Sequence, residues 1–348
     1  MRRVMSGSVR RASWLVGGSL VLVAGACAQG ARVPDADRSP WDGLAYVAMG
    51  PGKAVTVLDL REGRVLGRIP LRVEAHGLAV TCDGRVLAGD LTRGESLEVR
   101  EVASRRVVGG IPVGKGAHHL MLSPEGERLL VTRSEAGRLA VVDPGRMQVM
   151  ADLESGGGAN YAVFAPDGRT AYVSNFEANE VAVVNLEAGR VTRRIVVAQG
   201  PGHMAISCDG RRLYVAAEGS GRLVVVDPER GEAVATVRIG HEPHGVALRP
   251  DGQRVYVASH QEGTVTMLDT VSLAPVAVTR VGEEPEHLEV TPDGRWVVVA
   301  RPEGGELVLL AAEDLAVVRR IALGPEPHQI VFSPGPCAKA GSPRRSGR

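Results

Sequence analysis

The sequence predicts an all-β protein: a seven-bladed β-propeller built from four-stranded antiparallel blades. Three observations carry this. First, stepping by 42 residues from His244 gives His76, His118, Asn160, Gly202, Glu286 and His328, with no insertion or deletion. Second, further columns keep the same register. A turn column holds Cys82, Pro124, Pro166, Cys208, Pro250, Pro292 and Pro334, and an acidic column holds Asp59, Glu101, Asp143, Asn185, Asp227 and Asp269. An aromatic column holds Tyr46, Tyr172, Tyr214 and Tyr256. Third, each copy carries four short Val-rich runs separated by Gly, Pro and acidic residues, with no sustained helical period. Four strands per repeat of about 40–45 residues is the propeller signature, because a lone blade leaves two apolar faces for its neighbours to cover.

Taken in order, the runs of the copy around His244 are residues 213–217, 222–227, 233–239 and 245–248. A loop ending in Pro243-His244 opens the last of these, and the turn Pro250-Asp251-Gly252 closes it. Pro and Gly at such positions preset turn dihedrals, and Asp bonds its own turn amides. The acidic column follows a strand and is expected to do the same. The Tyr column is expected to pack between blades with a hydroxyl tip. The chain opens the ring with a second-strand phrase, LAYVAMG at Leu44, and ends it with a first-strand phrase, HQIVFSP at His328. The C-terminal strand is therefore expected to complete the first blade, which removes two exposed edges.

The phrases LYVAAEGSGRLVVVDPERG at Leu213, VYVASHQEGTVTMLDT at Val255 and AYVSNFEANEVAVVNLEAG at Ala171 carry a family resemblance. The chain resembles the YVTN-repeat (YncE-like) seven-bladed propellers over residues 44–334. The resemblance implies that each innermost strand starts at the His-bearing loop and runs along the central channel. It says little about function, because one fold hosts many chemistries.

Outside the ring, residues 1–26 combine Arg2, Arg3, Arg10 and Arg11 with an apolar run, as an export signal does. Cys27 after LVAGA resembles a lipobox cysteine, so residues 27–43 read as a linker behind a lipid anchor. Residues 335–348 form a basic tail. The expected location is the periplasm or cell surface, with membrane contact through the lipid only. The full chain has a formal net charge of +1. Loss of the four leader arginines leaves acidic groups in excess, so the ring has no electrostatic footprint for nucleic acid. A monomer is expected, with an unknown envelope protein or a small ligand as partner. Cys82 and Cys208 stand three blades apart, too far to bridge one another. A Cys82–Cys337 disulfide is open in an oxidising compartment.

Seven of the nine histidines fall in two columns. His76, His118, His244 and His328 sit where loop becomes strand, and His119, His203 and His287 follow one residue later. Side chains alternate along a strand. Val246 and Leu248 belong to the parity that packs between blades. Gly245, Ala247, Tyr161, Glu289, Gln329 and the second His column belong to the lumen parity. Glu242-Pro-His244, Glu326-Pro-His328, Glu74-Ala-His76 and Glu284-Pro-Glu286 fall on four consecutive blades. Imidazole with nearby carboxylate suits a transition metal such as Cu, Zn or Fe. The metal candidates are therefore His119, His203, His287, His76, His118, His244, His328, Glu242 and Glu326, with Cys27 for lipidation. A metal needs neutral imidazoles, so its affinity is expected to fall below about pH 6.

A blander reading stands beside this one. Duplication copies a loop histidine that bonds a neighbouring carbonyl. Nitrous oxide reductase uses channel histidines for copper, but this chain lacks a cupredoxin domain; haem-d1 propellers share the repeat style, but no CxxCH occurs here. On these grounds the sequence favours a non-enzymatic cell-envelope binding or scaffold protein working through the channel mouth. The alternatives are a metal-binding or redox-accessory protein, and a lactonase-like hydrolase for which no catalytic set can be matched.

Overall fold

A computed structural model describes residues 41–90 and 94–334. The leader, Cys27, the linker as far as residue 40, and the tail with Cys337 lie outside the described residues. Seven four-stranded sheets follow one another along the chain and make a seven-bladed β-propeller. Blade 1 consists of Leu44–Met49, Ala54–Asp59 and Arg64–Pro70, and its innermost strand is the C-terminal Pro327–Phe332. Tyr46 pairs with Val331 and Val47 with Ile330, so the ring closes by backbone hydrogen bonds as the edge count predicts. Trp41, ahead of the first strand, is buried and sets its ring edge-on to Phe332 at 5.4 Å, reinforcing that closure.

Blades 2 to 7 each begin with their innermost strand. These are Ala75–Val80, Ala117–Leu122, Ala159–Phe164, Pro201–Ile206, Pro243–Leu248 and Leu288–Val290. The middle strands are covered on both faces, so their sequences are continuous apolar runs; every residue of Leu129–Arg133 is buried. The outermost strands alternate, as in Gln148–Glu154, because one face meets solvent. The PDG turns work as the sequence suggests. Asp167 Oδ1 accepts from the amides of Arg169 (2.8 Å) and Thr170 (2.9 Å), and Gly168 takes φ 64°. In the acidic column, Asp143, Asn185 and Asp227 accept from Arg146, Ala188 and Arg230 amides at 2.7–2.9 Å, a turn-closing role.

Neighbouring blades cover one another's faces. Tyr214, Leu223 and Val225 of blade 5 share a core with Val246, Val255 and Val257 of blade 6. Burial raises the pKa of Tyr256, and its hydroxyl donates to the Ala312 carbonyl of blade 7 at 2.6 Å. Cys82 and Cys208 are both disulfide-bonded. The Tyr256→Phe variant leaves the Ala312 carbonyl buried without its donor, and is expected to lose about 1–3 kcal/mol of stability. Denaturant unfolding should show a lower midpoint at unchanged slope; an unchanged midpoint would remove this contact from the account of blade packing.

Candidate functional site

Six of the seven loops at this level share one backbone, the loop before His76 being the exception. Glu242, Glu284 and Glu326 stand at φ 51°, 53° and 51°, where blades 3, 4 and 5 have Gly116, Gly158 and Gly200 at φ 77°, 70° and 66°. Left-handed backbone favours glycine, and a side chain there costs about 1–2 kcal/mol. The next residues then enter the innermost strand and point at the axis.

At the mouth the rings form a connected arc. Ring centroids lie 4.5 Å apart for His118 and His76, 3.7 Å for His76 and His328, and 4.3 Å for His328 and His287. The arc continues from His287 to His203 at 4.3 Å, to Tyr161 at 4.3 Å and to His119 at 3.6 Å. His244 lies 4.4 Å from His203. His203 and His287 come from blades 5 and 7, yet they touch because blade 6 presents Gly245 between them.

The hydrogen bonds divide the ring. His76 Nδ1 donates to the His118 carbonyl at 3.0 Å, and His118 Nδ1 donates to the Asn160 carbonyl at 2.8 Å. His244 Nδ1 lies 3.1 Å from Glu218 Oε1, and His328 Nε2 lies 3.3 Å from Glu286 Oε2. Both ring nitrogens of His119 and Nε2 of His287 are buried with no partner among the described residues. One ring nitrogen each from His203, His244 and His287 lie within 4.8 Å of one another, a three-imidazole set able to hold a metal. Tetrahedral coordination at about 2.0–2.1 Å requires nitrogens closer than this, so the rings would turn inward around an ion.

The site therefore mixes the two columns. His119 is held away from the set by Tyr161, and His76, His118 and His328 occupy the far arc. Glu242 and Glu326 are exposed on the rim rather than among the three imidazoles; Glu242 Oε2 lies 3.5 Å from His260 Nδ1. Glu218 is the residue that column reading missed. It opens a short 3-10 turn, Glu218–Ser220, after strand Leu213–Ala217. It reaches His244 because the His column holds Gly202 in blade 5, where a Cβ would collide with its carboxylate. The signal was present: Glu218 and His260 share one repeat column, and each faces the next blade's His column.

Burial holds His76, His119, His203 and His287 well below the ordinary imidazole value, and lowers His118 from 6.5 to about 4. Burial pulls His244 down as well, but the bond to Glu218 and the charges of Glu218, Glu286 and Glu242 outweigh it and raise its pKa. Burial pushes Glu286 up, and its bond to His328 more than offsets that, leaving it lowered. At neutral pH, His203 and His287 are thus neutral donors, and His244 is the ligand that a proton contests.

Two cavities flank the mouth. One of about 460 Å³ lies against Glu218, Arg238, His241, Gln261 and Phe176. The other, about 400 Å³, is acidic, with Glu74, Glu286, Glu303 and Glu326 beside His76 and His328.

Set against this geometry, the chain matches two family models, both of propellers. Residues 112–269 match the seven-bladed β-propeller lactonase model, and residues 214–329 match the cytochrome D1 heme domain. No curated protein sequence matches it. Among solved structures, hydrazine synthase of Kuenenia stuttgartiensis aligns with a TM-score of 0.67 at 19% identity, covering 81% of this chain and 99% of that one. A putative 6-phosphogluconolactonase from Bacteroides uniformis aligns at 0.71 and 16% identity, covering 84% and 99%. A functionally unknown protein from Desulfotomaculum acetoxidans aligns at 0.72 and 14% identity, covering 84% and 99%. These likenesses establish a propeller fold.

Two titrations check the electrostatics. Glu218→Gln removes the charge that favours protonated His244, so the His244 pKa is expected to fall; imidazole NMR reads this, and an unchanged titration would break the pairing. Acid stability checks the buried rings. Unfolded imidazoles take up protons near 6.5, but folded His118 does so only near about 4. The unfolded chain binds more protons in that window, so stability falls as pH falls through it, by about 3 kcal/mol for His118 alone. His244 and the Glu289 carboxyl, which burial raises to about 8, have the opposite sign, but they are two groups against five lowered ones. Denaturant midpoints should therefore drop from pH 6.5 to 4; a flat profile would show the rings to be solvated.

Proposed function

We propose that the channel mouth is a hydrolytic site for a cyclic ester of the lactone class, with His203, His244 and His287 holding a transition-metal ion. The observation that carries this is the convergence of three imidazoles within 4.8 Å, one of them braced by Glu218. The lactonase match over residues 112–269, which includes His203 and His244, supports the choice of reaction. A bound Zn, Fe or Cu ion would act as a Lewis acid toward the ester carbonyl. The protein's own groups do the rest. Glu218 Oε1, 3.1 Å from Nδ1, would orient the His244 ring and leave Nε2 as the ligand atom, as carboxylates commonly do behind metal-binding histidines. Glu242, Glu286 and Glu326 supply compensating negative charge near the mouth. The cavity beside Glu218 offers Arg238, Gln261 and Ser220 to substrate oxygens and Phe176 to its apolar face.

The cytochrome D1 match spans Glu218, His244, His287 and His328, which makes haem the second group to weigh. The residues do not fit it. A haem brings its own carboxylates and needs a flat apolar slot, whereas the flanking cavity at His76 and His328 presents four glutamates. No step is derived through haem. The reading keeps the expectations that the ring works in the cell envelope as a monomer anchored through Cys27, and that its repeats are of the YVTN type.

Metal content and turnover test the proposal on mature chain purified without chelators. Stoichiometric Zn, Fe or Cu is expected, together with proton release from simple γ- and δ-lactones. His203→Ala and His244→Ala should abolish both, and Glu218→Gln should reduce metal affinity by about 10–100-fold. Metal affinity should fall as pH drops through the raised His244 pKa, above the pH 6 that free imidazoles suggest. Metal without lactone turnover would leave a metal-binding accessory protein. Neither metal nor turnover would return the mouth to a non-enzymatic scaffold.

A further inference from the structure

The outer edge of the ring carries a pattern of its own. In every blade the pairing of the third strand with the outermost one slips by one residue. In blade 1, Leu58 pairs with Val65 and Val57 with Gly67, which leaves Leu66 as the extra residue of a β-bulge. The same slip singles out Val108, Met150, Thr192, Val234, Val276 and Val318, one every 42 residues. A bulge re-aims its extra side chain. The six apolar ones are left between 42% and 57% exposed.

These bulges lie at the end of the ring opposite the histidine mouth. One row of blade 1 runs Phe332–Ala45–Leu58–Val65, and Phe332 ends the strand whose other end holds His328. The chain enters and leaves the ring at this row, where the Ser333 amide donates to the Leu44 carbonyl at 3.1 Å. Residues 27–43, behind the lipobox-like Cys27, lead in here. Residues 335–348 follow on from here, with Lys339, Arg344, Arg345 and Arg348 and no acidic residue. The mouth is different: Glu74, Glu286, Glu303 and Glu326 line one of its cavities. Among the described residues, Val196 is the one exposed large hydrophobic side chain at the mouth end of an outermost strand.

The fold does not require an apolar residue at the bulge. Thr192 occupies it in blade 4 and donates its hydroxyl to the Val183 carbonyl at 3.1 Å. Bulges on edge strands deter the addition of further strands, and a polar residue serves that purpose equally well. Equivalent positions in a closed ring lie on one circle. A flat surface can meet all of them at once, whereas a globular partner meets those of one or two blades. We infer that this end of the ring docks on a bilayer containing anionic lipid. The six bulge side chains enter the interface, the basic tail is drawn to the headgroups, and the histidine mouth faces away. This contact is additional to any lipid on Cys27, and it depends neither on that lipid nor on the chemistry at the mouth.

Vesicle flotation tests this on the mature chain carrying Cys27→Ser, so that no lipid is attached. Binding is expected to vesicles of phosphatidylethanolamine with about one-quarter phosphatidylglycerol, and should weaken in about 0.5 M salt, which screens the tail. Leu66→Thr, Val108→Thr, Met150→Thr, Val234→Thr, Val276→Thr and Val318→Thr together repeat the bulge of blade 4 in every blade. This variant should lose affinity by about tenfold or more. Met150→Thr with Val234→Thr alone should weaken binding several-fold, which keeps the test decisive if the sixfold variant folds poorly. Absence of vesicle binding by the parent chain, or binding unchanged in both threonine variants, would overturn the proposal. Self-association abolished by the threonine variants, without vesicle binding, would also overturn it and assign the belt to a second copy of the chain.

Discussion

Seven strands converging on one axis leave too little room for seven side chains, and the rest of the molecule follows from how that crowding is relieved. At Gly245 a Cβ would stand 2.5 Å from the Glu286 carbonyl oxygen and 2.7 Å from the Leu288 nitrogen. At Gly77 it would stand 2.5 Å from Leu120 and 2.8 Å from the His118 carbonyl oxygen. No real contact of that kind survives in a close-packed interior. Glycine at these two places lets other blades use the space. His203 and His287 meet across Gly245, and Gln329 reaches from blade 1 into the lumen, accepting from the Leu78 amide and donating to the Leu120 carbonyl, each at 2.9 Å. One amide side chain thus ties three innermost strands together, next to the seam where the ring closes.

The same crowding sets the electrostatics. Packing imidazoles edge to face excludes water, and each neighbour that gained a proton would oppose the next. Neutral rings are the result, and neutral rings are what a metal requires. The acidic rim residues fall on one arc, three of them at the left-handed loop position and Glu74 beside them without a positive φ. Where that position is Gly116, Gly158 or Gly200, the rim is bare. Where it is Glu242, Glu284 or Glu326, the backbone tolerates strain to place a carboxylate on the rim.

The fold was legible because a repeat without insertions converts one copy's pattern into seven. Strand order, the PDG turns, the acidic turn column and closure through HQIVFSP all follow from columns, since each depends on contacts inside a repeat or on its immediate neighbour. The site was legible only to the level of which residues face the axis. Its membership depends on departures from the repeat. Gly202 admits Glu218 to His244, and Gly245 joins blades 5 and 7, so the metal-capable set takes two residues from one His column and one from the other. Alternation alone would have grouped His119 with His203 and His287, but Tyr161 stands between them. Blade 7 departs as well: its innermost strand shortens to Leu288–Val290, where the Glu286 amide donates to the Ala300 carbonyl instead of continuing the ladder.

Duplication explains why there are many histidines but not why they differ. His76 and His118 behave as copied structural residues, each donating Nδ1–H to the carbonyl one blade on. That bond satisfies the ring and ties adjacent blades, so those two need no ligand to justify them. His119 and His287 make no such bond through the nitrogens left buried. An unpartnered buried polar atom costs about 1–3 kcal/mol, and an apolar residue of similar size would avoid it. A propeller that needed only to fill its axis could use leucine there, as it uses Leu78 and Leu120 nearby. Of the three imidazoles at 203, 244 and 287, His287 keeps Nε2 unpartnered at such a cost, while His244 faces Glu218 through Nδ1 at 3.1 Å.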